Sequence, residues 1–244
     1  LTWETLEGVV KHNGPLLGDN AKGPVPESIL AYNGLQDLEL DTWPSIEAQV
    51  AALSDDIAYN NHDIDDGLRA GLFTIEDLGD IPLVGPTFKA VEAKYPGIEP
   101  PRLIHESIRR LIDHMVNDLL AETRRRLAEI EPRSSEDIRR VGRPVVAFSD
   151  EMRQNDRALR RFLFARMYRH FRVNRMTSKA RRVVRELFSI FLAEPECLPT
   201  EWFHLAGPPG SANTARVVTD YIAGMTDRYA LDEHRRLYDV HDRP

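Results

Sequence analysis

The 244-residue sequence predicts an all-α protein. Apolar residues recur three or four positions apart through most of the chain, which is the spacing of one buried helix face. Residues that cap helices, such as Thr2 and Ser45, precede these periodic segments, and glycine or proline follows them. Only one short segment, Val145–Phe148, has the composition of a strand. The expected architecture is therefore a set of packed helices.

The first third of the chain predicts two helices joined by a long loop. The first helix begins after Thr2 and is stopped by Asn13-Gly14-Pro15. Residues 14–44 are rich in glycine, proline and asparagine, which predicts a loop. The second helix is expected from Ser45 to Asp66, and Gly67 is expected to end it.

A connection and four further helices follow. Residues 79–101 are rich in proline and glycine and predict the connection. The predicted helices all have apolar residues at helical spacing and cover residues 102–131, 150–170, 177–193 and 214–238. The intervening loops are residues 132–149, which include the short strand, and residues 194–213.

The composition is that of an ordinary water-soluble protein, with 42% hydrophobic and 29% charged residues. No apolar run approaches the roughly 20 residues that a membrane span needs, so no membrane partner is expected. The single cysteine, Cys197, excludes an internal disulfide and suits a reducing compartment. We therefore expect a cytoplasmic protein.

The net charge of −7 conceals a division along the chain. Residues 1–101 hold 18 acidic and 5 basic residues, whereas residues 153–185 hold 12 basic residues and one acid, Asp156. The acidic part is suited to cations and the basic part to phosphates. A small anionic metabolite bound together with a metal ion would use both.

The first residues, LTWETLEGVV, contain neither an initiator methionine nor a signal-peptide pattern. They have the composition of a segment from the interior of a longer sequence. We therefore expect that the chain is a fragment, with a further segment ahead of Leu1.

The helix predicted over residues 45–66 carries the pattern that points to chemistry. One apolar stripe is formed by Ile46, Val50, Leu53, Ile57 and Ile64. The opposite side presents Asp55, Tyr59 and Asp63, one helical turn apart. The small residues Ala48 and Ala52 precede them on the same side. We expect both sides to be buried, and buried carboxylates are costly unless they are paired or bind a metal. The alternative is a polar helix terminus before Gly67.

The motif Asp55-x-x-x-Tyr59-x-x-x-Asp63, within AALSDDIAYNNHDIDDGLRAG, resembles the bacterial deoxyguanosinetriphosphate triphosphohydrolases of the HD superfamily. Three further segments resemble the same family in the same order: LTWETLEGVVKHNGPL, MYRHFRVNRMTSKARRVVRELF and DYIAGMTDRYALDEH. The resemblance covers essentially the whole chain. It implies a helical HD-type domain with additional C-terminal helices, where residues 1–78 complete the HD domain and residues 79–244 form the C-terminal region.

The resemblance also implies roles for four residues. Asp55 is the last of four ligands to one divalent metal ion, such as Mg²⁺ or Mn²⁺. Tyr59 lies beside the triphosphate and the sugar, Asp63 accepts a hydrogen bond from the sugar 3′-hydroxyl, and Lys11 contacts the phosphates. In the family, the other ligands (a His and a His-Asp dyad) and the acid–base residues precede the LTWE segment. The catalytic residues are therefore expected upstream of Leu1.

The activity that the resemblance implies is hydrolysis of dGTP or another dNTP to deoxynucleoside and tripolyphosphate, by a homo-oligomer. The alternative is a non-catalytic helical module that binds nucleotide or nucleic acid through Lys11 and the arginine-rich helices. Arg153, Arg157, Arg160 and Arg161 are either a solvated helix face or a phosphate-binding edge. Single-stranded DNA is a further possible partner, since aromatic residues alternate with these arginines and those that follow.

Overall fold

The computed structural model describes residues 1–241, and this part of the chain is helical without a strand, which confirms the all-α prediction. The α-helices in chain order are α1 (Trp3–Val10), α2 (Glu27–Asn33), α3 (Ile46–Arg69), α4 (Val84–Lys94), α5 (Pro100–Ile130), α6 (Ser135–Arg140), α7 (Asp150–Leu163), α8 (Phe171–Ala193), α9 (Thr200–Phe203), α10 (Ala212–Ala223) and α11 (Asp227–Tyr238). Two 3₁₀ turns, Glu76–Leu78 and Pro195–Cys197, and a π-helical segment, Phe164–Tyr168, complete the elements.

The chain divides into two compact units. The first unit is Leu1–Met167, and the second begins at Tyr168. The boundary that we predicted after residue 78 lies inside the first unit. That boundary marks the expected end of a family domain and not a division between compact units, so it stays a prediction.

The first unit is built around the long helix α5, which packs against α3 and α4. Its main core joins residues from α3, α4, α5 and α7, among them Ile64, Phe88, Leu111 and Leu163, all almost completely buried. A second cluster joins Ile57 of α3 to Met115 and Leu119 of α5, and to Met152 of α7. Helix α3 is therefore held along its length by α5 and α7.

Helix α3 is longer than the sequence predicted, because Gly67 does not end it. Gly67 is a buried helical residue, and a Cβ at this position would lie 2.2 Å from Cε1 of Phe73. The glycine allows the Phe73 ring to pack directly against the helix backbone. The helix ends at Arg69, and Gly71, with φ of +62°, follows the C-cap residue Ala70.

The predicted strand at Val145–Phe148 is wrong. These residues are irregular, although Val145 and Val146 are almost completely buried. Their backbone N–H groups donate to Oε1 of Gln49 at 2.8 and 3.1 Å, and Gln49 Nε2 donates to the carbonyl oxygen of Pro44. The buried Gln49 side chain on α3 thus accepts hydrogen bonds from two backbone N–H groups that would otherwise need the carbonyl oxygens of a neighbouring strand.

The two segments predicted as loops in the first unit each contain a helix. Helix α2 lies within residues 14–44, and α4 lies within residues 79–101. In α4, Pro86 occupies the third helical position, where its missing N–H removes no intrahelical bond. Proline and glycine therefore mark the ends of these helices rather than a structureless connection.

The second unit is formed mainly by α8, α10 and α11. Its core joins Leu187 and Phe191 of α8 to Val218 and Tyr221 of α10. Helix α8 begins at Phe171, earlier than predicted. The single helix predicted over residues 214–238 is two helices, because Gly224 is the C-cap of α10 and Thr226 caps α11 through a bond from Tyr229 N. Helix α7 is likewise shorter than predicted and continues as the π-helical segment.

Within residues 1–241, no helix combines the length and apolar character that a membrane span requires.

Candidate functional site

Helix α3 positions the residues that the sequence singled out. Ser45 begins the helix, and its hydroxyl accepts a hydrogen bond from Ala48 N at 3.4 Å. Asp55, Tyr59 and Asp63 follow at intervals of four residues and therefore share one face of the helix. The structure thus brings these three predicted residues together along one helix face.

The expectation that this face is buried is wrong for Asp55 and Tyr59. The Asp55 side chain is 51% exposed and Tyr59 is 65% exposed, whereas Asp63 is half-buried. The polar residues that α3 does bury are the amides Gln49, Asn60 and Asn61. Amides carry no charge, so their burial costs less than that of a carboxylate. The Asp55 face is open to a ligand in this part of the molecule.

His12 lies beside Asp55, a contact that the sequence did not predict. Its Nε2 atom is 3.7 Å from Oδ2 of Asp55, and the side chain is 42% exposed. The segment after α1 brings His12 to the middle of α3. The sequence feature that could have indicated this contact is the position of His12 immediately after Lys11 in KHNGP, since neighbouring residues at a turn reach the same surface.

A charged network extends the site from α3 to α7. Arg160 donates from Nε to Oδ2 of Asp156 at 2.9 Å, and its Nη2 lies 3.1 Å from Oδ1 of Asp56. Asn60 Nδ2 donates to the other oxygen of Asp156 at 2.7 Å. Burial raises the pKa of Asp156, and the charge of Arg160 opposes that rise. Sequence spacing could place Arg160 on a helix face but could not identify its partners on α3.

A cavity of about 380 Å³ adjoins this network. The cavity is lined by the imidazole of His12 and by the carboxylate and guanidinium side chains of Asp56, Arg126, Arg153, Asp156 and Arg160. Arg126 is fixed by Glu122 and by donating to the carbonyl oxygen of Pro144 at 3.0 Å, and Arg153 pairs with Asp150. Three guanidinium groups thus line a cavity beside the Asp55 face. This arrangement suits an anionic ligand whose oxygens displace a carboxylate partner.

Lys11 lies elsewhere, in a buried cluster behind the site. It is 0% exposed, and its Nζ contacts Glu7 at 3.1 Å, Thr42 Oγ1 at 2.8 Å and the Glu39 carbonyl oxygen at 3.0 Å. Burial lowers the pKa of Lys11, and the hydrogen bond to Glu7 opposes that effect. The three ammonium hydrogens therefore each have an acceptor within the protein. This geometry does not favour the phosphate contact predicted for Lys11, which stays a prediction.

The donor set for a metal ion is partial in the described part of the chain. Residues 1–241 contain no group of three or more His, Cys, Asp or Glu side chains arranged to hold a metal ion. Asp55 is exposed and offers a carboxylate oxygen, and His12 offers a nitrogen beside it. These residues fit one part of a metal site, and a complete site requires further ligands.

Almost the whole chain is similar in sequence to one group of known proteins. A phosphohydrolase-associated domain model matches residues 146–236. The chain is 58% identical over 243 residues to a deoxyguanosinetriphosphate triphosphohydrolase-like protein of Parvibaculum lavamentivorans, covering 99% of this chain and 61% of that protein. Proteins of the same description from Caulobacter vibrioides and Brucella suis are 53% and 50% identical, each over 98% of this chain and 60% of their own length. The chain therefore spans about three fifths of the relatives that it matches.

Proposed function

Since this chain belongs to the family of deoxyguanosinetriphosphate triphosphohydrolase-like proteins over the stretch that it spans, we propose that it forms part of a metal-dependent hydrolase of deoxynucleoside triphosphates. The substrate is dGTP or another dNTP, and the products are the deoxynucleoside and tripolyphosphate. The protein is proposed to act in the cytoplasm as a homo-oligomer.

The observation that supports this proposal is the α3 face that carries the exposed Asp55 and Tyr59 together with the half-buried Asp63, beside an arginine-lined cavity. A deoxynucleoside triphosphate has an uncharged sugar and a highly charged phosphate chain. The α3 face offers a carboxylate and a phenol for the sugar, and the cavity offers Arg160 for the phosphates. The two halves of the ligand therefore match two adjoining surfaces.

Each residue has a separate role in this proposal. Asp63 accepts a hydrogen bond from the 3′-hydroxyl, and Tyr59, one turn away, packs along the sugar edge. Arg160 exchanges its bond with Asp56 for phosphate oxygens and stabilises the charge of the departing tripolyphosphate. Asp55 contributes one oxygen to a divalent metal ion. That ion, when bound, polarises the α-phosphate and lowers the pKa of a water molecule.

The sugar contact is tested by Asp63→Asn, which keeps the side-chain shape and removes its charge. A hydrogen bond to a charged group contributes about 1.5–3 kcal/mol, so kcat/KM should fall by roughly 10- to 200-fold. The metal content should not change. A substrate without the 3′-hydroxyl should be poor for the parent protein and should lose little more with the variant, because both changes remove one contact. Penalties that simply add would contradict the role of Asp63.

The metal ligand is tested by Asp55→Ala, with metal content and hydrolysis measured on the same preparation. We expect both to fall together. The exposed neighbour Ser54 provides the control: Ser54→Ala should retain both. Full metal occupancy in Asp55→Ala would rule out the assignment, whether or not hydrolysis falls.

The alternative function is a non-catalytic module that binds nucleotide or nucleic acid. The observation that favours it is the partial donor set for a metal ion in residues 1–241. Product analysis separates the two functions. Release of tripolyphosphate from dGTP at a rate that depends on Asp55 supports the hydrolase, whereas nucleotide binding without turnover supports the binding module.

A further inference from the structure

One of the three guanidinium groups that line the cavity of the first unit differs from the other two. Arg126 lies on α5, and its side chain is only 14% exposed. Arg153 and Arg160 lie on α7, and their side chains are 44% and 45% exposed. A cationic group that the protein already holds in one position loses less conformational freedom when a ligand binds. The three arginines are therefore not equivalent as ligand contacts.

Two acceptors of the protein hold the Arg126 guanidinium in place. Its Nε donates to Oε1 of Glu122 at 2.7 Å, and its Nη1 donates to the carbonyl oxygen of Pro144 at 3.0 Å. Glu122 is itself only 12% exposed. Hydrogen bonds from Arg125 and Arg126 lower the pKa of Glu122 to about 2, so it is a carboxylate at neutral pH. The orientation of the Arg126 guanidinium is therefore fixed from two sides.

The third nitrogen of Arg126, Nη2, is available to a ligand. No acceptor among the described residues contacts it, and it is not one of the buried polar atoms that lack a partner. In the other two arginines the same nitrogen is occupied: Nη2 of Arg153 lies 2.5 Å from Asp150, and Nη2 of Arg160 lies 3.1 Å from Asp56. Arg126 can thus bind an anion in the cavity without giving up a bond to the protein.

We propose that Arg126 is the fixed anchor for a condensed phosphate chain in this cavity and that Glu122 is the residue that positions it. Guanidinium groups face the cavity from both α5 and α7, which suits an anion whose charge is spread along a chain. Arg126 accepts the first phosphate oxygen as it stands, and Arg160 then exchanges Asp56 for another. The identity of the ligand as a triphosphate rests on the proposed function.

Arg125 provides a matched control for Arg126. Its Nε also donates to Glu122, at 2.8 Å, but its side chain is 55% exposed and is not part of the cavity lining. Arg125→Gln and Arg126→Gln therefore remove the same charge and a bond to the same carboxylate. The measurement is titration calorimetry with inorganic tripolyphosphate, without added metal ion.

The affinity for tripolyphosphate should fall by about tenfold or more in Arg126→Gln, which is the loss expected for one hydrogen bond between charged groups. It should change little in Arg125→Gln. Orthophosphate should bind the parent protein more weakly than tripolyphosphate, because it is too short to use both helices. Equal losses in the two variants, or equal affinities for the two anions, would overturn the proposal. Arg126→Lys, which keeps the charge without the planar fork, should show a partial loss and replaces Arg126→Gln if that variant does not fold.

The positioning role is tested with Glu122→Gln. This variant keeps the Arg126 charge but weakens the bond that orients it, so the affinity for tripolyphosphate should fall by less than in Arg126→Gln. Adding Glu122→Gln to Arg126→Gln should cause no further loss, because Glu122 acts through Arg126. Losses that simply add would show that Glu122 affects binding by another route and would overturn its role.

An assay of dGTP hydrolysis on the same proteins separates this inference from the proposed function. Hydrolysis by the parent protein, combined with equal tripolyphosphate affinities in Arg126→Gln and Arg125→Gln, would refute the anchor and leave the proposed function intact. Tripolyphosphate binding that depends on Arg126 in a protein without hydrolysis would support the anchor and count against the proposed function.

Discussion

At the scale of single residues, the buried ion cluster of the first unit has a definite energetic role. Glu7 and Lys11 are completely buried, and Arg139 donates from Nε and Nη2 to the two oxygens of Glu7 at 2.8 and 3.0 Å. Removal of the carboxylate leaves the buried Lys11 ammonium without a carboxylate partner and leaves Arg139 with only the Glu136 carboxylate, at 3.8 Å. Glu7→Gln should therefore lower the free energy of unfolding by about 3–5 kcal/mol in chemical denaturation. Glu4→Gln, an exposed change on the same helix, should have little effect.

The same carboxylate predicts acid sensitivity. Burial alone would raise the pKa of Glu7, but the hydrogen bonds from Arg139 and Lys11 more than offset it, and the pKa lies below 4.5. A lowered pKa in the folded state gives stability that is present above pH 4.5 and is lost as the pH falls through the folded value. Denaturation curves of the parent protein should show this loss. Glu7→Gln should lack that part of it, and an identical acid dependence in the two proteins would contradict the prediction.

Asp156 should give a pH dependence of the opposite sign. Burial raises its pKa above 3.8, so the folded state binds this proton more tightly than the unfolded state. The contribution of Asp156 to stability should therefore decrease as the pH rises from 3.8 through the raised value. The difference in unfolding free energy between the parent protein and Asp156→Asn should show this decrease. A difference that is independent of pH over this range would exclude it.

At the scale of helices, the close packing of α3 against the following segment depends on Gly67. A methyl group at this position would lie 2.2 Å from Cε1 and 2.3 Å from Cζ of Phe73. Alanine is the better helix former by about 1 kcal/mol, but overpacking of a buried site costs about 1–3 kcal/mol. The buried phenyl ring has no flexible end that can move aside, so Gly67→Ala should lower the melting temperature.

The control for this change uses a glycine that has room. Gly224 is exposed at the C-cap of α10, and a methyl group there would meet only backbone oxygens at 3.5 Å or more. Gly224→Ala should therefore leave stability nearly unchanged. Replacing the phenyl ring with a smaller side chain, in Gly67→Ala/Phe73→Leu, should recover part of the lost stability. A fully stable Gly67→Ala protein would show that Phe73 does not pack against α3 in this way.

At the scale of the whole molecule, we predict association through the first unit. Large apolar side chains are exposed on and between its early helices: Val9 is 69%, Leu30 48% and Leu35 86% exposed. Covering such side chains with a second copy of the chain removes apolar surface from water, which favours association. Light scattering at micromolar concentration should give the mass of a homo-oligomer, and Val9→Glu/Leu35→Glu should lower it. A monomeric parent protein would refute the prediction.

Much of the fold is a local property, and the sequence predicted that part well. Apolar spacing and capping residues are decided within one or two helical turns, so α1, α3 and α5 were found from Thr2, Ser45 and the long apolar repeat of residues 102–131. The predicted helix ends were wrong where one residue type can play two structural roles. Gly67 and Pro86 act as helix breakers in isolation, but here one makes room for Phe73 and the other lies in a first turn that needs no N–H.

For the candidate site, the sequence by itself determined which residues share a helix face, because the four-residue spacing of Asp55, Tyr59 and Asp63 fixes their directions along α3. Only the tertiary structure decided which sides of that helix are covered. It buried the amides Gln49, Asn60 and Asn61 and left Asp55 and Tyr59 exposed. It also placed Arg160 beside Asp56 and enclosed Lys11 behind the site. Burial and pairing depend on contacts between distant parts of the chain, and the periodicity of one helix contains no information about its neighbours.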